Sequence, residues 1–545
     1  MTTMTTPPTT PPAGSPTTDS TPLEPDALSL DAIRAGQLRG RPVAVLGMAR
    51  SGVALARFLV DAGAQVTAYD GRLPEELDDA LARLDGRPVR LLAGPGVDPT
   101  EALRGMSLVT TSPSINPDYP TTEPRLRAAL AALASARAAG ERTAPAILSE
   151  PDLFLRLCPS STIGVTGTKG KTTTSALAHA LLAADPDHRA ILGGNIGRPL
   201  IERLLDLQPD DRVVIELSEL QIPTLSRGTT VAVFTNVTSD HLDRHGSLAA
   251  YRAVKRGFAE RVDPAGALVL NLDDAEVAGY AGLGRGATVV PYRLGSPPAG
   301  GLGLVDDWIV AAGVPRLTLG QAAGGSPDGS TTTSADGGPG PGANEWIMPI
   351  SELAIPGRHN VSNALAAVAV GLLFGVDIPA IRAAAGAFPG VEHRLETVAT
   401  VDGIRYVNDS QGTQPDAVIA ALHAFDPPIV LIAGGRDKDV DLSGLGPVVA
   451  ERAAAAVLIG ESGPDLERRF KAAGLARTER AATLEGAVRR AAAIAAELRD
   501  AGVPTVRPTV LLSPAAASFD MFVDYEARGR AFKAAVATLR EDAVR

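Results

Sequence analysis

The stretch "STIGVTGTKGKTTTSALAHALL", residues 161–182, decides the fold prediction. A run of apolar and β-branched residues, typical of a strand, ends in a glycine loop, and helix-forming residues follow. Gly167 and Gly170 let backbone N–H groups point at phosphate oxygens, Lys171 adds a positive charge, and the Thr172 hydroxyl can ligate Mg²⁺. The stretch therefore predicts a nucleotide-binding strand, loop and helix. A glycine-rich structural turn is the alternative.

Acidic and histidine residues follow the next strands of the same region. Glu216 ends the apolar run "RVVIE", so it is expected at the sheet edge that carries the phosphate loop, where a second Mg²⁺ ligand is needed. "DHLDRH" follows a further strand and contains Asp240 and His241, either as ligands or as helix caps. Lys255 lies on the next helix, where a surface lysine is the common alternative.

A second strand, turn and helix precede this region, in residues 41–72. Gly47 and Gly52 lie in the turn, and Asp70 ends the following strand. The pattern indicates a nucleotide-type ligand at a doubly wound sheet, or glycines that only let helix and sheet pack, because the strict G-x-G-x-x-G fingerprint is missing.

Strands and helices alternate along most of the chain, which predicts an α/β protein with parallel sheets and three domains. We expect a Rossmann-like N-terminal domain, a central P-loop domain that binds a nucleotide, and a Rossmann-like C-terminal domain. The expected bounds are a disordered tail over 1–37, these three domains over 38–145, 146–390 and 391–545, and a Gly/Ser-rich insertion near 321–344.

Composition excludes several classes of protein. The net charge of −11 argues against a general nucleic-acid binder, which needs basic patches. Cys158 is the only cysteine, so disulfides within the chain are excluded. No apolar run is long enough to cross a bilayer, and the Thr/Pro-rich N-terminus lacks the features of a signal peptide. These observations predict a cytoplasmic protein that is not inserted in a membrane.

An ordered set of motifs identifies a family. "GTKGKTTT", "GGNIG", "ELSELQ", "NVTSDHLDRH", "YRAVKRGF", "PGRHNVSNALAA", "PGVEHRLE", "VNDSQGTQPDA", "AGGRDKDVDLSGL" and "LLSPAAASFDMFVDYEARGRAF" resemble the Mur ligases, ATP-dependent amide-bond-forming enzymes of peptidoglycan precursor synthesis. The resemblance covers nearly the whole chain after the tail. It implies that the first domain binds the UDP-substrate, the central domain binds ATP, and the third domain binds the amino acid. It also implies a monomer whose substrates are ATP, UDP-N-acetylmuramoyl-L-alanine and glutamate, with D-glutamate favoured, and which uses two Mg²⁺ ions.

The resemblance also implies roles for individual residues. Catalytic residues would be Lys171, Glu216, His241 and Lys255. Metal ligands would be Thr172, Glu216, His241 and Lys255, the lysine being carbamylated. ATP contacts would be Gly167, Thr168, Lys169, Gly170, Lys171, Thr172, Thr173, Asn360, Asn363, Arg394 and Asp409. Substrate contacts would be Asp70, Arg72, Ser112, Asn195, Ser218, Thr413, Lys438, Ser518 and Tyr525.

Some positions depart from the family pattern. Gln411 stands where the family usually has lysine, and Leu220 where it usually has phenylalanine. The loss of a cation at Gln411 leaves the choice of glutamate enantiomer open. The alternatives are a sibling ligase that uses another amino acid or L-glutamate, a folylpolyglutamate synthetase, which lacks such a first domain, and a nucleotide-gated binding protein without ligase activity.

Overall fold

Three sheets follow one another along the chain in the computed structural model. It describes residues 19–238, 247–317, 344–355, 357–436, 441–501 and 507–544. The described residues fall into two compact units, one within Met1–Ile350 and Ser362–Ala384, the other within Ser351–Val361 and Ala385–Arg545. The first unit holds two of the sheets and the second holds the third. The expected α/β class with parallel sheets is confirmed.

The first sheet has five parallel strands in the order β3-β2-β1-β4-β5. Its strands are β1 (Pro42–Leu46), β2 (Gln65–Asp70), β3 (Val89–Ala93), β4 (Leu108–Thr111) and β5 (Ala146–Ser149). The helices of this part are α1 (Leu30–Arg34), α2 (Arg50–Asp61), α3 (Asp78–Ala82), α4 (Thr100–Leu103) and α5 (Pro124–Ala138), and 3₁₀ helices span Pro25–Ala27 and Pro74–Leu77.

Two features of this sheet differ from the predicted bounds. Residues 19–37 were expected in the tail, but Leu23, Leu30 and Ile33 are buried in the core of the first unit, because they give this segment an apolar face. Strand β5 begins after the expected boundary at 145, yet it pairs with β4. The domain bounds as such stay a prediction.

The second sheet has nine strands in the order β14-β13-β12-β11-β10-β9-β6-β8-β7. Its strands are β6 (Ser161–Thr166), β7 (Ala190–Gly194), β8 (Arg212–Glu216), β9 (Val231–Phe234), β10 (Ala267–Asn271), β11 (Thr288–Tyr292), β12 (Gly301–Val305), β13 (Trp308–Ala312) and β14 (Asn344–Pro349). The strands β6–β12 pair in parallel, and β12–β14 pair antiparallel. The expected insertion lies outside the described residues except for Asn344.

The helices that accompany this sheet are α6 (Glu150–Leu157), α7 (Lys171–Leu182), α8 (Leu248–Glu260), α9 (Ala275–Ala278), α10 (Arg358–Leu373) and α11 (Ile378–Ala387), with 3₁₀ helices Leu200–Asp206, Ile222–Thr224 and Ile350–Glu352. The 3₁₀ helix Leu200–Asp206 packs on both α2 and α6, and its Leu200, Ile201 and Leu204 are buried. One apolar cluster therefore continues from the first sheet to the second.

The third sheet has six strands in the order β15-β16-β20-β17-β18-β19, parallel except for β15. Its strands are β15 (Glu396–Val401), β16 (Ile404–Asn408), β17 (Ile429–Gly434), β18 (Ala453–Ile459), β19 (Thr478–Arg480) and β20 (Thr509–Leu512). Its helices are α12 (Pro415–His423), α13 (Leu445–Arg452), α14 (Gly463–Ala472), α15 (Leu484–Asp500) and α16 (Tyr525–Val544). Within the described ranges, no helix has the length and apolar character that crossing a membrane requires.

Candidate active site

The phosphate loop lies at the carboxyl edge of the second sheet, between β6 and α7. Gly167 and Gly170 both adopt positive φ, 151° and 85°. A Cβ at Gly167 would lie 2.0 Å from Thr235 Oγ1, and one at Gly170 would lie 2.4 Å from Asn363 Oδ1. Glycine is therefore required at both positions by conformation and by space. Helix α7 begins directly after Gly170 without a side-chain cap, which leaves its N-terminal N–H groups available to an anion.

The strand next to β6 holds this loop in place. Asn236, which follows β9, accepts from Lys169 N through Oδ1 at 2.9 Å and donates from Nδ2 to Lys169 O at 2.9 Å. Thr235 Oγ1 donates to the same carbonyl at 2.6 Å, and Asn236 O accepts from Thr168 N at 2.8 Å. Sequence reasoning did not assign these two residues, although they form the start of the motif "TNVT".

Lys171 lies folded over the loop. Its Nζ donates to Gly167 O and to Thr168 O, both at 2.9 Å. Thr172 and Thr173 follow in the first turn of α7 and are buried. A cation, hydroxyls and helical N–H groups thus converge where a strand ends, an arrangement suited to a polyphosphate.

Glu216 ends β8 beside this loop, since β8 pairs with β6 and Glu216 is in register with Val165. It is buried, and its Oε1 accepts from Asn195 Nδ2 at 2.8 Å. Its Oε2 is buried and has no hydrogen-bond partner among the described residues. An unpaired buried carboxylate oxygen is costly, and a divalent cation is a fitting partner for it. The donor set therefore fits Mg²⁺.

Lys255 is fully buried on α8. Its Nζ donates to Thr166 Oγ1 at 2.9 Å and lies 5.5 Å from the centroid of the Tyr251 ring. The Thr166 hydroxyl in turn donates to Leu217 O at 2.8 Å, directly after Glu216. The alternative of a surface lysine is thereby excluded, because this lysine lies under the end of β6.

Three residues singled out in the sequence, Asp240, His241 and Lys438, lie outside the described residues. Among the described residues, no group of three or more His, Cys, Asp or Glu side chains is arranged to hold a metal ion. The predicted ligand set includes a threonine and a lysine, and neither residue type is among these four.

A cavity of about 330 Å³ opens at the carboxyl edge of the first sheet. Asp70 and Gly71 line it from the end of β2, and Leu220 lines it from the loop after β8. Asp70 accepts from Arg72 and from Met48 N at 2.8 Å. Burial alone would raise the pKa of Asp70, but these hydrogen bonds outweigh it and hold that pKa below its ordinary value.

The loop after β8 reaches this cavity. Tyr119 Oη donates to Leu220 O at 2.9 Å and fixes the loop against the first sheet. Ser218 donates from N and from Oγ to Gln221 Oε1, at 2.9 and 3.0 Å. Ser112 lies at the end of β4, where its Oγ is 3.5 Å from Gly47 O. The first unit thus brings the first-sheet cavity and residues of the second sheet close together.

The third sheet carries a second set of predicted residues. Asp409 follows β16 and is buried; it accepts from Ser513 Oγ at 2.6 Å and from Leu395 N at 3.2 Å. Burial raises the pKa of Asp409 to about 6, and the charge of Arg394 opposes this shift. Arg394 follows His393, which is also buried.

Arg528 on α16 links the loop after β16 to the loop after β20. The predicted residues Thr413 and Ser518 lie in these two loops. It is buried and donates from Nε to Ser410 Oγ at 3.0 Å and from Nη2 to Ser410 O at 2.9 Å. Its Nη1 donates to Ala516 O and to Ala517 O, both at 3.2 Å, just before Ser518. Arg528 lies in the motif "LLSPAAASFDMFVDYEARGRAF", but the sequence alone did not predict a role for it. A basic residue inside an apolar helical pattern was the available signal.

The other predicted residues are divided between the two units. Ser410 Oγ donates to Tyr525 O at 2.7 Å, and Thr413 N donates to Gln411 O at 2.8 Å, both in the second unit. Asn363 accepts from Thr174 Oγ1 at 3.2 Å in the first unit, whereas Asn360 belongs to the second. Helix α10 contains the change between the units.

Comparison with known proteins gives the family. A model described as "Mur ligase middle domain" matches residues 165–294, and one described as "Mur ligase, glutamate ligase domain" matches residues 393–504. A UDP-N-acetylmuramoylalanine–D-glutamate ligase of Symbiobacterium thermophilum is 36% identical over 91% of this chain and 98% of its own length. The chain belongs to the Mur ligase family. A ligase of the same name from Acetivibrio thermocellus is 33% identical over 91% of this chain and 96% of its own.

The resemblance expected from the motifs is confirmed, and this Mur ligase is an ATP-dependent enzyme that forms amide bonds in peptidoglycan precursor synthesis. Among solved structures, the UDP-N-acetylmuramate-alanine ligase of Thermotoga maritima matches with a TM-score of 0.51 and 18% identity, over 91% of this chain and 99% of that one. That likeness concerns the fold.

One departure from the family pattern has a structural counterpart in this Mur ligase. Gln411 donates from its backbone N to His393 O at 3.0 Å. Its side-chain Oε1 is buried without a hydrogen-bond partner among the described residues. The side chain therefore presents an oxygen acceptor at the position where the resemblance led us to expect a lysine.

Proposed function

We propose that this chain joins D-glutamate to UDP-N-acetylmuramoyl-L-alanine at the expense of ATP. The names of the relatives, which match over almost their full length, support this substrate pair. One structural observation carries the proposal: the buried Oε2 of Glu216, which has no hydrogen-bond partner in the described part of the chain, lies beside a phosphate loop that leads into an uncapped helix. That edge of the sheet is suited to a metal-dependent reaction of a nucleoside triphosphate.

Four residues would hold two Mg²⁺ ions: Thr172, Glu216, His241 and a carbamylated Lys255. An ammonium group cannot ligate a metal, whereas carbamylation converts it to a carbamate, whose oxygens can act as carboxylate-like ligands. Burial of Lys255 beside the Thr166 hydroxyl supports this, because the modification would place an oxygen donor near β6. When bound, Mg²⁺ neutralises charge on the triphosphate.

The residues of the chain position the reactants. The N–H groups of Gly167–Thr173 and the Lys171 cation would hold the β- and γ-phosphates, so that the alanyl carboxylate attacks the γ-phosphorus and ADP leaves. The amine of glutamate then attacks the acyl phosphate carbon. The tetrahedral intermediate expels phosphate, loses the amine proton, and leaves the amide.

The remaining predicted residues complete the proposal. Asn360, Asn363, Arg394 and Asp409 would contact ATP. Thr413, Lys438, Ser518 and Tyr525 would contact glutamate. Asp70, Arg72 and Ser112 would bind the uridine end of the substrate at the first-sheet cavity, and Asn195 and Ser218 would contact its acceptor end. We place the enzyme in the cytoplasm as a monomer.

The test is phosphate release from ATP with UDP-N-acetylmuramoyl-L-alanine and D-glutamate, L-glutamate or no amino acid. Stoichiometric phosphate and amide with D-glutamate are expected. A rate of phosphate release that is the same with and without an amino acid would refute the ligase reaction and favour a nucleotide-gated protein. Efficient use of L-glutamate would favour a sibling ligase, for which the missing cation at Gln411 is the specific observation.

Lys255→Ala tests the proposed metal ligand. Turnover should fall at least a hundredfold with the circular dichroism spectrum preserved, because the position of one metal ion would be lost. Arg256→Ala is the matched control, since Arg256 is exposed on the same helix and pairs with Glu260. Full turnover of Lys255→Ala would refute the metal role.

A further inference from the structure

Helix α2 of the first sheet contacts the loop that leads to the metal carboxylate. Arg50, in the first turn of α2, donates from Nη2 to Asn195 O at 3.1 Å. Seven residues along the same face, Arg57 donates to Glu202 Oε1 at 3.4 Å. The segment between Asn195 and Glu202 is therefore held at both ends by one helix of the neighbouring sheet.

Asn195 in turn is joined to Glu216 by two hydrogen bonds. Its backbone N donates to Glu216 O at 2.9 Å, and its side-chain Nδ2 donates to Glu216 Oε1 at 2.8 Å. Gly194 lies so close that a Cβ there would come within 2.5 Å of Glu216 O. Asn195 provides the only hydrogen bond to this carboxylate among the described residues, so its position fixes the direction of Oε2.

We infer that Arg50 is a positioning residue for the Glu216 carboxylate and acts through Asn195. The inference rests on the proposed function only in taking Glu216 as a metal ligand. Arg50 follows the Gly47 turn of the first-sheet cavity, so this chain of hydrogen bonds links the first sheet to the Glu216 carboxylate. A cation in the first turn of a helix opposes the helix dipole, and the bond to the Asn195 carbonyl compensates for it.

The test compares Arg50→Met with Arg57→Met, which removes a contact of the same helix without touching Asn195. Mn²⁺ affinity is measured by electron paramagnetic resonance with the ATP analogue AMP-PNP. Amide hydrogen exchange is followed in the peptide over residues 191–197. Arg50→Met should weaken Mn²⁺ binding about fivefold, the typical effect of one hydrogen bond, and speed exchange at Asn195. Arg57→Met should leave Mn²⁺ affinity within twofold, and Arg50→Lys should restore part of it.

Turnover separates this role from direct substrate binding. For Arg50→Met we expect a raised Mg²⁺ requirement and a KM for the UDP-substrate within twofold of the wild type. A raised KM with unchanged Mn²⁺ affinity would overturn the inference and make Arg50 a substrate contact. Unchanged affinity and unchanged exchange would also overturn it. If the wild type does not use the muramoyl substrate, the proposed function fails, while the Mn²⁺ and exchange measurements still decide the role of Arg50.

Discussion

The buried carboxyl group of Glu150 makes the stability of the first unit depend on pH. Glu150 begins α6 and is buried; its Oε1 accepts a long hydrogen bond, 3.4 Å, from Ile201 N. Burial raises its pKa from 4.5 to about 7, assisted by Glu202 and opposed by Arg50. We predict that Glu150→Gln stabilises the first unit increasingly as pH rises.

The magnitude follows from the difference in pKa between the folded and unfolded chains. A raised pKa contributes stability that is complete below pH 4.5 and is lost as pH rises through about 7. At pH 8 the loss amounts to about 3 kcal/mol, and at pH 5 to about 1 kcal/mol. The stability of the variant lacks this pH dependence, so its advantage over the wild type should grow by about 2 kcal/mol between these pH values.

Urea unfolding followed by tryptophan fluorescence measures this difference. The only tryptophans of the chain, Trp308 and Trp346, both belong to the first unit, so the signal reports the unit that contains Glu150. The new amide donor of glutamine adds a cost that does not vary with pH. If the free energies of unfolding of Glu150→Gln and the wild type differ by the same amount at pH 5 and at pH 8, the prediction is refuted.

Three further substitutions test the sites. Gly170→Ala should abolish AMP-PNP binding in calorimetry, because the added Cβ meets Asn363 and the positive φ is strained. Asp409→Asn should raise the thermal midpoint of the second unit at pH 8, where the buried carboxylate is ionised above its pKa of about 6, while ATP-dependent turnover falls. Arg528→Met should destabilise the second unit by about 3 kcal/mol in urea unfolding followed by circular dichroism, because buried carbonyls lose their donors.

Matched controls accompany two of these variants. Gly444→Ala changes a glycine with ordinary φ and open space around it, and AMP-PNP binding should persist. Arg530→Met removes an exposed arginine of the same helix as Arg528 and should change stability by less than about 0.5 kcal/mol. Tight AMP-PNP binding by Gly170→Ala would contradict the first prediction. A thermal midpoint below that of the wild type for Asp409→Asn at pH 8 would contradict the second, and equal losses of stability in Arg528→Met and Arg530→Met would contradict the third.

Short stretches of the sequence determined the phosphate loop and the strand and helix on either side of it. The apolar run before Gly167, the glycines of the loop and the helix after Lys171 depend on neighbours within a few residues, so the strand, loop and helix could be read directly. The position of Glu216 at the same sheet edge also followed, because parallel strands end together.

Tertiary structure alone decided which distant residues meet. Arg50 reaches Asn195 across 145 positions, and Arg528 reaches Ser410 across 118. The packing of residues 19–37 likewise depended on an apolar surface that another part of the chain provides. Such contacts depend on which helices and sheets pack against one another. A sequence pattern with a period of two or 3.6 residues indicates which face of an element is buried, but it does not indicate which other element covers that face.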